Sequence, residues 1–172
     1  WTKRAQFNLT HFPTYPEFSS EIFGLLKLSN GNILIVGLIK GGGTPNQHIV
    51  ISSYDPNGNI IQTKQALIDS YGEINIQSII ENGSSELYFF GTGSNIPGQN
   101  MQGSLYFKTD LVGNYISGQI IDDNSRQTVG ILTDDGGVLI GASSINLTTP
   151  PGSMFSSENV GLYKLNSLGS LE

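Results

Sequence analysis

The chain has 172 residues, with 8 Lys and Arg against 14 Asp and Glu and a net charge of −6, which excludes a phosphate-neutralising nucleic-acid surface and disfavours docking on anionic lipid. It has no cysteine, so neither a disulfide framework nor a thiolate ligand or nucleophile exists. No apolar stretch approaches the roughly 20 residues of a membrane helix, while 22 glycines and plentiful Asn and Ser point to turn-rich β structure in one domain.

Trp1–Asn8 reads as an outer strand without preceding partners. The opening Trp1-Thr-Lys-Arg4 is neither an initiator Met nor a signal peptide, so targeting information is expected outside this segment. A first unit of four strands follows: Glu21–Leu28, Ile33–Val36, His48–Tyr54 and Ile60–Leu67. Asn30-Gly31-Asn32, the connection Gly41–Gln47 and the turn Asp55-Pro-Asn-Gly58-Asn join them. The second unit is Glu73–Ile80, Leu87–Phe90, Ser104–Thr109 and Tyr115–Ile121, joined by Asn82-Gly83-Ser84, Ser94–Gln102 and Asp110-Leu-Val-Gly113-Asn. The third is Gln127–Thr133, Val138–Ile140 and Val160–Leu165, with Asp135-Gly136-Gly137, Ile145–Asn159 and Asn166-Ser-Leu-Gly169-Ser between and after them. Asn-Gly and Asp-Gly tolerate positive φ, so the first turn of each unit predicts a two-residue hairpin.

The turn glycines recur at 52 and 53 residues in one set and at 55 and 56 in the other, the mark of a repeat architecture. The second strands are apolar on consecutive residues and must be covered on both faces, whereas a two-layer sandwich shows alternation. The fourth strands turn polar at Gln62-Thr63-Lys64-Gln65 and Ser117-Gly118-Gln119, so burial is expected to fall from the second strand to the fourth. Period, strand count and gradient predict an all-β fold of β-propeller-type repeats, three four-stranded blades in one domain over residues 1–172. Gln62-Thr-Lys-Gln65 matches Trp1-Thr-Lys-Arg4, which divides the chain into repeats 1–61, 62–116 and 117–172, the third without a fourth strand of its own.

Asp134-Asp-Gly-Gly-Val-Leu-Ile-Gly-Ala-Ser143 followed by Val160-Gly-Leu-Tyr-Lys-Leu-Asn-Ser-Leu-Gly-Ser-Leu171 resembles a β-propeller repeat of secreted and surface proteins of bacteria and archaea. Leu105-Tyr-Phe-Lys-Thr-Asp-Leu-Val-Gly-Asn114 and Trp1 match the same pattern. Gln62 and Ser117 stand where that family has Trp, and Ser53-Tyr54 where it has Lys-Thr. The resemblance implies a propeller in an extracellular or cell-surface chain, often non-catalytic, and transfers no active site.

Closed propellers have about four to eight blades, so three units expose apolar blade faces at both ends. The expected partners are neighbouring blades of a larger protein, or a second copy closing a six-bladed ring in an isologous, two-fold homodimer. Trp1–Asn8 of one copy would complete the last blade of the other.

His11, in the stretch His11-Phe-Pro-Thr-Tyr-Pro16, and His48 occupy dissimilar repeat positions, and packing is their expected role. Asp122-Asp123 and Asp134-Asp135 lack the calcium-loop pattern and are assigned to turns. Asp55, Asp110 and Asn166 recur at one repeat position, where the side chain bonds the turn's own amides. The sequons Asn8-Leu-Thr10, Asn82-Gly-Ser84 and Asn146-Leu-Thr148 are read as chance in an Asn- and Ser-rich chain. No catalytic residue, metal site or cofactor is identified. The long connections Ser94–Gln102 and Ile145–Asn159 join the same strands in successive repeats, and the binding candidates are Asn95, Met101, Asn146, Met154 and Phe155. The expected function is a non-catalytic extracellular or cell-surface scaffold recognising protein or glycan. The alternative is a fragment of a propeller hydrolase or lyase whose site is completed by absent blades.

Overall fold

Gly31, Gly58, Gly83, Gly113, Gly136 and Gly169 hold φ between 62° and 89°, and each stands in or beside a turn. The computed structural model describes residues 18–41, 47–66, 74–83, 85–94, 103–121, 125–145 and 158–172. Trp1–Asn8, His11, Asp122 and Asp123 lie outside the described residues. At the first turn Gly31 N donates to Leu28 O and Leu28 N to Asn32 O, and the same pair of bonds recurs from Asp55, Asp110, Thr133 and Asn166. These loops are therefore three residues long, including the Leu28 and Thr133 turns, where the sequence predicts two. A two-residue type I′ hairpin needs positive φ at both central residues, whereas a type I turn closed by one left-handed glycine needs it once.

The expected role of the recurrent Asx residues is visible at each of their turns. Asp55 Oδ1 accepts from Asn59 N and Oδ2 from Asn59 Nδ2. Asp110 Oδ1 accepts from the amides of Val112 and Asn114, and Asn166 Oδ1 from those of Leu168 and Ser170. These bonds satisfy turn amides that have no ladder partner.

Strands β1 (Phe18–Lys27), β2 (Ile33–Gly41), β3 (Gln47–Tyr54) and β4 (Ile60–Ala66) form one antiparallel sheet in chain order. Strands β5 (Ile74–Asn82), β6 (Glu86–Gly93), β7 (Gly103–Asp110) and β8 (Tyr115–Ile120) form the second. Strands β9 (Ser125–Leu132), β10 (Val138–Ile145) and β11 (Glu158–Leu165) form the third. The second strand of each sheet runs three to five residues beyond its apolar segment (β2 to Gly41, β6 to Gly93, β10 to Ile145). Backbone pairing on both edges continues through these extensions. Among the described residues the third sheet has three strands, in keeping with a third unit that lacks a fourth strand of its own, and the bridge Leu165↔Leu171 follows them. No described strand pairs across sheets, and the described residues close neither a barrel nor a ring.

The pairings place equivalent residues on common rows. Val36↔Ile51, Phe90↔Tyr106 and Gly141↔Leu162 occupy one row, and Ile35↔Ser52, Phe89↔Phe107 and Ile140↔Tyr163 the adjacent one. A core cluster joins Leu34, Val36, Leu38, Ile49 and Ile51 of the first sheet to Ile74, Ile76, Leu87, Phe89, Leu105 and Phe107 of the second. Another joins Tyr88, Phe90 and Tyr106 of the second to Val138, Ile140 and Leu165 of the third. The middle sheet is thus covered on both faces. Phe89 stacks on Phe107 toward the first sheet with centroids 4.5 Å apart, and Phe90 meets Tyr106 toward the third at 5.8 Å. In that sheet β6 is almost wholly buried, β7 mostly so, and β8 exposed or half-buried, which is the expected gradient.

Candidate functional site

Meandering antiparallel strands send their connections alternately to two ends. Ser29, in the turn between β1 and β2, bonds the Glu81 carboxylate near the end of β5 through its amide and hydroxyl at 2.6 and 2.9 Å. Gln119 Nε2 of β8 reaches Gly169 O in the turn after β11 at 2.8 Å. The tight turns of successive sheets therefore share one end. The strand ends flanking the three long connections, Gly41 and Gln47, Gly93 and Gly103, Ile145 and Glu158, belong to the other. Asn95, Met101, Asn146, Met154 and Phe155, the candidate contact residues, lie outside the described residues. His48 lies in β3.

At the long-connection end, the space between the second and third sheets holds a band of hydroxyls that sequence reasoning missed. Thr92, Ser94, Ser104, Ser125 and Thr128 are buried there. Ser104 Oγ donates to Ser125 Oγ at 2.6 Å, and Thr128 N donates to Gln77 Oε1. Ser78 Oγ and Thr128 Oγ1 find no hydrogen-bond partner among the described residues. The pair Thr92↔Ser104 occupies the register of Leu38↔Ile49, so a position that is aliphatic between the first two sheets is polar between the next two. Its legible signal was the Gly-Thr-Gly-Ser run at residues 91–94, where apolarity stops while pairing continues.

Asp110 and Asp135 are committed to their turns. Asp135 accepts from Lys164 Nζ at 2.6 Å, Thr133 Oγ1 at 2.5 Å and Gly137 N at 3.1 Å. The Lys164 bond, with those of Thr133 and Gly137, holds the Asp135 carboxyl well below the usual carboxylate range. Lys164 is correspondingly raised by Asp135 and by Glu172, whose Oε2 lies 2.8 Å away. Burial opposes the charge of Asp110, yet the bonds from Asn114 and Val112 outweigh it and Lys64 adds to them, so its pKa is lowered. Burial raises the Tyr106 phenol, and with Glu86 that of Tyr88. Among the described residues no three His, Cys, Asp or Glu side chains converge on a metal-sized site.

Comparison with protein-family models and with curated proteins finds no match for this chain, so the likeness to the secreted propeller repeat rests on the quoted motifs. Among the described residues no helix is long and apolar enough to cross a membrane.

Proposed function

We propose that this chain is a propeller-type repeat segment of an extracellular or cell-surface protein, acting as a non-catalytic scaffold that recognises protein or glycan through its long connections. One observation carries the reading. Three sheets repeat the same strand order and register and stack face on face, with the long connections leaving from one end and tight turns occupying the other. A rigid stack of this kind holds variable loops side by side, which is how recognition surfaces are commonly built. Further blades, from a longer chain or a second copy, are the partners this reading requires.

The test is a screen of the folded protein against glycans and surface proteins, repeated with residues 95–101 and then 146–157 replaced by Gly-Ser linkers. The expected result is a bound ligand lost on replacement, with the far-UV spectrum unchanged. Absence of binding in every assembled form, or binding indifferent to both replacements, counts against the scaffold. Turnover of a hydrolase or lyase substrate by the assembled protein would favour the enzyme alternative.

A further inference from the structure

The outer face of the third sheet and the β1 side of the first sheet's outer face are the two unlike halves of an interface that the chain already builds twice, while Ile39, Val50, Ser52 and Tyr54 on β2 and β3 of that first-sheet face are already buried. Ile22, Ile76 and Thr128 occupy one register position, each opposite the corresponding residue of the second strand (Gly37, Gly91, Ala142). In the second and third sheets this position is buried against the preceding sheet, with Ile76 at 3% exposure and Thr128 at 1%. Ile22 is 77% exposed. Leu25, at 72%, shares its position with Ile79, which packs into the first core cluster, and with Gly130, which abuts Phe90. The opposite faces behave in the reverse sense. Ile51 and Tyr106 are buried against the following sheet, whereas their equivalent Leu162 is 69% exposed. Val160 stands where Ile49 and Ser104 are buried, and is exposed with Val129 and Ile131 beside it.

The internal interfaces also show how the halves meet. The first strand of each following sheet lies across the preceding one, β5 on β1 and β9 on β5, β6 and β7. A Cβ at Gly24 would lie 2.8 Å from Ile79 Cδ1, so these two positions face each other directly. Their equivalents at the open ends are Val129 on β9 and Leu25 on β1. Both are apolar and both are exposed, unlike the polar, charged outer face expected of a capping repeat.

We propose that the outer face of the β9–β11 sheet docks on the β1 side of the β1–β4 sheet of a second copy, Val129 against Leu25, continuing the sheet stack head to tail. The inference rests on the propeller-type stacking proposed above and adds the occupant and the pairing. Unlike faces meet, so each contact is heterologous. Two copies related by a two-fold axis make it twice and close, and a different sheet rotation yields a longer ring or an open chain.

The mass in solution is measured by light scattering and sedimentation for the parent, Val129→Glu and Leu25→Lys, with far-UV spectra and thermal melts as folding controls. The expected masses are a multiple of the chain mass for the parent and a single chain for each variant. An equimolar mixture of the two variants returns to a multiple, because each face bearing the new carboxylate then finds a face bearing the new ammonium. Should Val129→Glu lose its fold, Leu162→Glu takes its place. A parent that stays monomeric at every concentration overturns the proposal. So does assembly indifferent to Val129→Glu or to Leu25→Lys, as a like-on-like contact would be, and so does a mixture that stays monomeric. Mass and ligand binding are separate readouts, so a monomer with functional loops and an assembly without ligand point to different failures.

Discussion

Phe89 and Phe90 are neighbours on β6, both at 0% exposure, and their side chains enter different interfaces. In a two-layer sandwich one of two adjacent strand residues faces water, and its truncation is nearly neutral. In this stack both Phe89→Ala and Phe90→Ala should be severe. Truncating a fully buried phenylalanine costs about 3–5 kcal/mol, from lost transfer free energy and from the cavity left behind. Phe89 also gives up its stack on Phe107, and such aromatic pairs contribute about 0.5–1.5 kcal/mol beyond area burial. A Phe89→Ala loss of about 4 kcal/mol with a urea slope near 2 kcal/mol per molar moves the midpoint by about 2 M. Phe90→Ala should match it within about 1 kcal/mol, as its site is equally buried. The assay is urea unfolding followed by far-UV circular dichroism, with Leu25→Ala measured at a concentration where the protein is monomeric. That exposed control should stay within about 0.5 kcal/mol of the parent. If either phenylalanine variant shifted the midpoint by less than about 0.5 M at unchanged slope, the double-sided burial of the middle sheet would be refuted.

Gly130→Ala places a Cβ into the Phe90 ring, and overpacking of this kind should cost about 1–3 kcal/mol, relieved in a Gly130→Ala, Phe90→Leu double variant. Gly113 combines φ of +89° with Ile51 Cδ1 3.1 Å from any added Cβ. Gly113→Ala should therefore lower the unfolding midpoint more than Gly83→Ala, where no atom lies within 4 Å of the added carbon. Asp110 has a lowered folded pKa, so its contribution to stability is fully present above its ordinary value near 3.8 and is lost as pH falls through the lower folded value. Asp110→Asn should flatten the acid side of the stability–pH curve below about pH 4, read by urea midpoints across pH, and an unchanged curve would contradict the assignment. Lys164→Met should raise the Asp135 carboxyl toward its ordinary value in a carbon-detected NMR titration, because it removes the leading hydrogen bond to that group.

Much of the scaffold is legible before any coordinates. The unalternating run at Leu87–Phe90 announces a strand covered on both faces and the polar Ser117-Gly118-Gln119 an outer strand, whereas the equally unalternating Ile33–Val36 alternates between half-buried and buried residues. The turn chemistry of Asp55, Asp110 and Asn166 is readable because their bonds are local, reaching no further than four residues. The hydroxyl band at Thr92, Ser104, Ser125 and Thr128 is not readable in this way. Ser104 and Ser125 are partners across two sheets, and each looks like an ordinary loop-side polar residue in its own segment. The candidate contact residues followed from loop position alone, which carries no information about how side chains converge.

The sequence by itself determined what depends on neighbours along the chain: the period, the strand order, the turn types' glycine positions and the alternation that decides which residues share a face. Those properties follow from backbone geometry and from side chains within a few residues of one another. The tertiary structure decided which face meets which. Ile76 is buried and Ile22 exposed at the same register position because the second sheet has the first in front of it, whereas no described sheet lies in front of the first. Burial is a property of the neighbour across the gap, and no local pattern specifies whether that neighbour is present.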